Sequence, residues 1–126
     1  MKKKIFILLF ILAGKSLFAL DIYEEIANSI RSGDSRQLAS YFGNTIDLTV
    51  LDKENVYSKA QAELILKDFF GKNSPKSFTI LHKGSSPEGS QYAIGNLITA
   101  NGKTIRTSFY FKSVNGKTII QELRLE

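Results

Sequence analysis

Cysteine is absent from the 126 residues, histidine occurs once and proline twice. Without a thiol the chain has neither a disulfide framework nor a point of lipid attachment at cysteine. One histidine, no cysteine and no clustered carboxylates leave no metal-ligand spacing, so neither a metal nor another cofactor is expected. Long apolar runs are also scarce. Ile5 to Ala13 is too short to span a bilayer comfortably, and no later segment is long enough.

That apolar run belongs to a leader. Lys2, Lys3 and Lys4 form a basic n-region, Ile5 to Ala13 the apolar h-region, and Ser16-Leu17-Phe18-Ala19 a cleavage site. The expectation is a signal peptide over 1–19, a single domain over 20–126 and a periplasmic or secreted destination, with the membrane met only through the leader. The charge follows from this division. Seventeen Lys and Arg against twelve Asp and Glu give +5, but Lys2, Lys3, Lys4 and Lys15 precede Leu20, which leaves thirteen against twelve, or +1. The basicity therefore reports export, and no nucleic-acid partner is expected.

What the chain does have is turn chemistry. Asn-Gly-Lys-Thr occurs at 101–104 and again at 115–118, between apolar or alternating runs. Asn-Gly suits a two-residue hairpin turn, where both central residues need positive φ. The stretch from Gln91 to Glu126 thus reads as a three-stranded antiparallel meander. Without a bulge, Ile98 pairs with Ile105, Asn96 with Thr107, Ile94 with Phe109 and Tyr92 with Phe111. Across the second turn Phe111 meets Ile120, Phe109 meets Glu122 and Thr107 meets Arg124. One sheet face then carries all of these residues, and the other carries Leu97, Tyr110, Leu123 and Leu125.

Three helices precede the meander. Asp21 with Glu24, Asp34 with Gln37 and Ser58 with Gln61 have the spacing of helix N-caps. Ile22, Ile26 and Ile30 recur in the first helix; the second carries Leu38, Tyr41 and Phe42 and ends at Gly43. In the third, Ala62, Ile65, Leu66, Phe69 and Phe70 form one apolar stripe, a lid for a sheet face. Between the second and third, Thr45 to Val50 alternates as a strand, with a short extended piece at Asn55 to Tyr57. Ser77 to Lys83 is a further strand. The order is α-α-β-α-β-β-β-β, an α+β domain with helices on one face of an antiparallel sheet.

This arrangement resembles the nuclear transport factor 2-like (cystatin-like α+β) cone. More closely, VYSKAQAELILKDFF, SFTILHKGSS and the run from YAIGNLITANGK to QELRLE resemble a family of small exported Bacteroidetes proteins, domain of unknown function 4783. The wider superfamily implies a pocket between helices and concave sheet, and dimers through the sheet's outer face. It includes isomerases, dehydratases and non-catalytic binding modules, so the fold does not choose a function.

The residues offer three readings. In the first, Asn96, Thr107, Glu122 and Arg124, with Tyr92 and Phe109, bind a small molecule or peptide in a pocket between helices and sheet; structurally, Glu122 and Arg124 are equally a solvated ion pair. In the second, Leu97, Tyr110, Leu123 and Leu125 are the surface of an interaction module or homodimer. The third is a proton-transfer enzyme of isomerase or dehydratase type using Glu122, Asp47 or His82. Asp47 alternates with Ile46 and Leu48, however, and so belongs on the polar, outward side.

Overall fold

The computed structural model describes residues 21–126, and the expected leader lies outside them. All three helices begin where their caps predict. The Asp21 Oδ1 accepts the Glu24 N–H at 2.9 Å and opens α1 (Ile22–Arg31). Asp34 does the same for Gln37 at 3.0 Å and opens α2 (Ser35–Ala39). At α3 (Lys59–Lys72) Ser58 and Gln61 exchange bonds in a complete capping box. Each cap satisfies an amide that the first helical turn would otherwise leave unpaired.

Six strands follow or interleave: β1 (Phe42–Val50), β2 (Lys53–Ser58), β3 (Pro75–Ser85), β4 (Gln91–Thr99), β5 (Thr104–Val114) and β6 (Lys117–Leu125). They form one sheet in the order β2-β1-β6-β5-β4-β3, with every pair antiparallel except β1 and β6. The expected α+β class is correct, with two changes of extent. The piece at Asn55 to Tyr57 is a full strand. Phe42 and Gly43, expected in the second helix, begin β1 instead. Ile120 donates its N–H to the Tyr41 carbonyl at 2.8 Å, and Phe42 is registered with Ile120, so pairing with β6 captures this segment.

The core lies between the helices and one face of the sheet. Ile26, Ile30, Leu38, Leu66, Phe69 and Phe70 meet Leu97, Ile105, Phe109, Phe111, Ile120 and Leu123, all buried. Four of the five stripe residues of α3 are buried and Ile65 is half-buried, so this helix is the lid that its periodicity predicts.

The register of the meander differs from the expectation at two points. At 99–103 the turn has three loop residues: Gly102 donates to the Thr99 carbonyl at 3.0 Å, and Thr99 donates to Lys103 at 2.9 Å. Only Gly102 takes the left-handed conformation there, at φ +86°. This is a type I turn with a glycine bulge, and it shifts β4 by one residue against β5. Leu97 therefore pairs with Ile105, Asn96 with Arg106 and Tyr92 with Tyr110. The second turn keeps the expected two-residue form, with Asn115 and Gly116 at φ +52° and +78° and Phe111 opposite Ile120. Beyond it the extra residue Gln121 slips β6, so Leu123, not Glu122, meets Phe109 and Leu125, not Arg124, meets Thr107.

Each slip moves a strand's side chains to the other face. Together they build an unbroken inner wall from Ala93, Leu97, Ile105, Phe109, Phe111, Ile120, Leu123 and Leu125.

Candidate functional site

The six residues expected to form one site are divided by the sheet. Thr107 and Phe109 are fully buried in the inner wall, against the helices. Tyr92, Asn96, Glu122 and Arg124 lie half-buried on the outer face. The first pair cannot share a surface with the other four. Of the residues expected to form an outer apolar surface, Leu97, Leu123 and Leu125 have no exposed area, and only Tyr110 is outside. The cause is the same pair of slips.

The pocket expected between α3, α1 and the sheet has its aromatic walls in the core: Phe109 and Phe111 are 0% and 2% exposed. Phe42, Phe69 and Phe70 are core residues as well.

The outer face is ordered by the strand registers. One row crosses all six strands as Gly84, Tyr92, Tyr110, Glu122, Asp47 and Val56. The adjacent row reads His82, Ile94, Ser108, Arg124, Thr49 and Glu54. The rings of Tyr92 and Tyr110 stack, with centroids 5.4 Å apart and planes at 28°. His82 Nε2 lies 3.2 Å from the Tyr92 hydroxyl, and their rings are 5.7 Å apart. Tyr92 lies over Gly84, where a Cβ would stand 2.5 Å from its hydroxyl oxygen, so a side chain there would displace the ring.

Arg124 organises the other half. Its Nε donates to Glu122 at 2.7 Å, and its terminal nitrogens lie 3.7 Å from Glu54 and 3.6 Å from Glu126. The hydrogen bond and charge of Glu122 raise the guanidinium pKa. The bond to Glu54 bridges across Thr49, which alternation points outward and which is nonetheless only 6% exposed. Asp47 sits beside Glu122, on the outward side as expected, and its Oδ1 is buried without a partner among the described residues. Arg106 has no carboxylate within 4 Å among the described residues, and with Ile94, Ser108, Tyr110, Glu122 and Arg124 it bounds a shallow depression of about 540 Å³.

The three groups of the proton-transfer reading also stand on this open face. His82 is exposed, while Asp47 and Glu122 are half-buried. Among the described residues no cluster of three His, Cys, Asp or Glu is placed to hold a metal ion.

A signal for the true register was present in β4 and β6. Sliding both by one gathers Leu97, Leu123 and Leu125 with Phe109 and Phe111, and gathers Glu122 and Arg124 with Arg106, Ser108 and Tyr110. That segregation is cleaner than the one a bulge-free meander allows.

A curved, mostly antiparallel sheet with helices capping one face is a nuclear transport factor 2-like α+β fold. The protein of unknown function with this fold from Cytophaga hutchinsonii superposes with a TM-score of 0.59 at 12% identity, over 84% of this chain and 86% of that one. The chain itself belongs to the family described as Domain of unknown function (DUF4783), whose profile matches residues 23–126. A family member from Bacteroides uniformis has a TM-score of 0.76 at 28% identity, over 84% of this chain and 96% of that one. Another, from Bacteroides fragilis, has 0.74 at 27%, over 85% and 97%. No curated protein matches the chain.

Proposed function

We propose that this is an exported, non-catalytic interaction module that works through the outer face of its sheet, with a second copy of the chain as its partner. The observation that carries this reading is the contrast of the two faces: the inner one is packed against the helices around Phe109 and Phe111, while the outer one offers a half-exposed Tyr92–Tyr110 stack beside Ile94. Tyrosines with one apolar and one polar aspect suit such surfaces.

The charges support self-association. Glu54, Glu122 and Glu126 surround Arg124 and Asp47 stands beside Glu122 on the β6–β1–β2 half, whereas the β5–β4–β3 half carries Arg106 and His82. A two-fold axis parallel to the strands makes an isologous interface in which each half lies on the opposite half of its copy, so that unlike charges meet. The placement of His82, Asp47 and Glu122 on the outer face of the sheet, with His82 exposed, favours this reading over proton transfer, which needs groups enclosed near a substrate.

Gel filtration with light scattering tests it. The wild-type chain is expected to run as a dimer, and Tyr110→Glu and Arg106→Glu as folded monomers. A monomeric wild type at every concentration would remove self-association from the proposal.

A further inference from the structure

Glycine follows asparagine at two places in the chain, 101–102 and 115–116. Asparagine is a thermolabile residue, and a following glycine exposes it most, because a nitrogen with no Cβ beside it can approach the asparagine Cγ closely. The attack is intramolecular, so proximity favours it. Both asparagines are exposed, and water reaches each of them. The four residues of the two motifs are the same, and what differs is how the reacting atoms are held.

At the first turn they are engaged. Asn101 Nδ2, the nitrogen that would leave, donates to Asn73 Oδ1 at 3.2 Å, and Asn101 Oδ1 accepts from the Thr99 hydroxyl. The Gly102 N–H, the group that would attack, donates to the Thr99 carbonyl at 3.0 Å. The Ala100 N–H donates to the Ser74 carbonyl at 2.8 Å and ties the loop to the end of α3. Swinging Gly102 onto the Asn101 Cγ therefore breaks bonds within the loop and to another element.

At the second turn they are not. Among the described residues neither the Asn115 carboxamide nor the Gly116 N–H has a hydrogen-bond partner. A Cβ built on Gly116 would meet nothing within 4 Å, so that side of the turn is open. The turn is closed by the Val114–Lys117 pair of its own hairpin. Opening an exposed hairpin end costs little beside opening a turn bonded to a helix end.

We propose that Asn115 is a site of spontaneous modification in the folded protein, passing through a cyclic imide to aspartate and isoaspartate, while Asn101 is protected by its anchor on α3. The Gly116 nitrogen gives up its proton to hydroxide and forms a bond to the Asn115 Cγ. The Cγ–Nδ2 bond breaks, and Nδ2 leaves as ammonia with a proton from water. Water then opens the imide at either carbonyl. Each event adds one negative charge at the turn, and the isoaspartate product also lengthens the backbone by one methylene. This modification does not involve the outer face, and its test is separate from that of self-association.

The experiment is incubation of the folded chain in mildly alkaline buffer, followed by mass spectrometry of tryptic peptides 113–117 and 84–103. Asn115 is expected to convert at least about tenfold faster than Asn101, the factor that loss of one or two hydrogen bonds supplies. In denaturant the two should convert at similar rates, because the local sequence is shared. Asn73→Ala should quicken conversion at Asn101 several-fold and leave Asn115 unchanged, and Asn115→Gln should abolish the acidic product of peptide 113–117. Equal rates in the folded chain, or an Asn115 amide that survives there while it is lost in denaturant, would overturn the site. An unchanged Asn101 rate in Asn73→Ala would overturn the anchor as the source of protection.

Discussion

Asn-Gly-Lys-Thr at 101–104 and at 115–118 folds in two ways within one sheet. The second copy makes a two-residue turn with both Asn115 and Gly116 left-handed. The first makes a three-residue loop in which Asn101 is not left-handed and Gly102 alone is. The difference lies in what surrounds each turn. Around the first, the Thr99 hydroxyl accepts the Lys103 N–H at 3.1 Å and contacts Asn101 Oδ1. Asn101 Nδ2 donates to Asn73 at the end of α3 at 3.2 Å, and the Ala100 N–H donates to the Ser74 carbonyl at 2.8 Å. The second turn has exposed residues from Ser113 to Lys117 and keeps the geometry that Asn-Gly favours locally. A few tertiary hydrogen bonds, each worth about 1 kcal/mol, are enough to choose between the two loops. That choice decides which side of β4 faces the helices.

The largest expected effect comes from testing that consequence directly. Phe109→Ala should cost about 3–5 kcal/mol, as removal of a fully buried aromatic does, whereas Tyr110→Ala on the opposite face should cost far less. Chemical denaturation of the two variants measures the contrast, and similar losses would contradict the assigned faces. Next comes the anchor of the first turn. Asn73→Ala removes the bond to Asn101 and one to the Phe69 carbonyl, and should cost about 1–3 kcal/mol, because it leaves polar groups unpaired at a buried position. Hydrogen exchange should quicken at residues 99–103 and stay unchanged at 114–117; equal quickening in both turns would show that the anchor is not specific.

A smaller effect is expected from the glycines. Gly102→Ala and Gly116→Ala each place a Cβ at positive φ in open space, for a cost of about 1–2 kcal/mol. Thermal melts should show each variant lowered by about 4–16 °C, at about 4–8 °C per kcal/mol for a domain near this length; an unshifted melt in either would contradict the left-handed glycine there. The smallest belongs to the outer ion pairs. Arg124→Ala should change stability by no more than about 1 kcal/mol, since Arg124 and its three partners are all partly exposed and screened. A loss of several kcal/mol in that variant would mean that the outer cluster holds the sheet together, and is not simply a surface available to a partner.

The positions of the caps and turns were legible because their interactions close within about four residues. Asp21, Asp34 and Ser58 each bond an amide three residues on, and the apolar stripe of α3 repeats on one helical face whatever it packs against. The same holds for the outward placement of Asp47, which strict alternation in β1 dictates. The candidate site was less legible. Tyr92, Asn96, Glu122 and Arg124 share a face as expected, but they do so because two one-residue slips carried β4 and the end of β6 over together. Thr107 and Phe109 were left on the other side.

Sequence alone therefore determined where the helices begin, which segments are extended, where the chain turns, and that helices cover one sheet face, since each rests on short-range bonds or on residue periodicity. The tertiary structure decided the register, and with it the two faces and the packed inner wall. A slip of one residue leaves every local propensity unchanged, and only burial against α1 and α3, with the bonds from Asn73 and Ser74, separates the alternatives in energy.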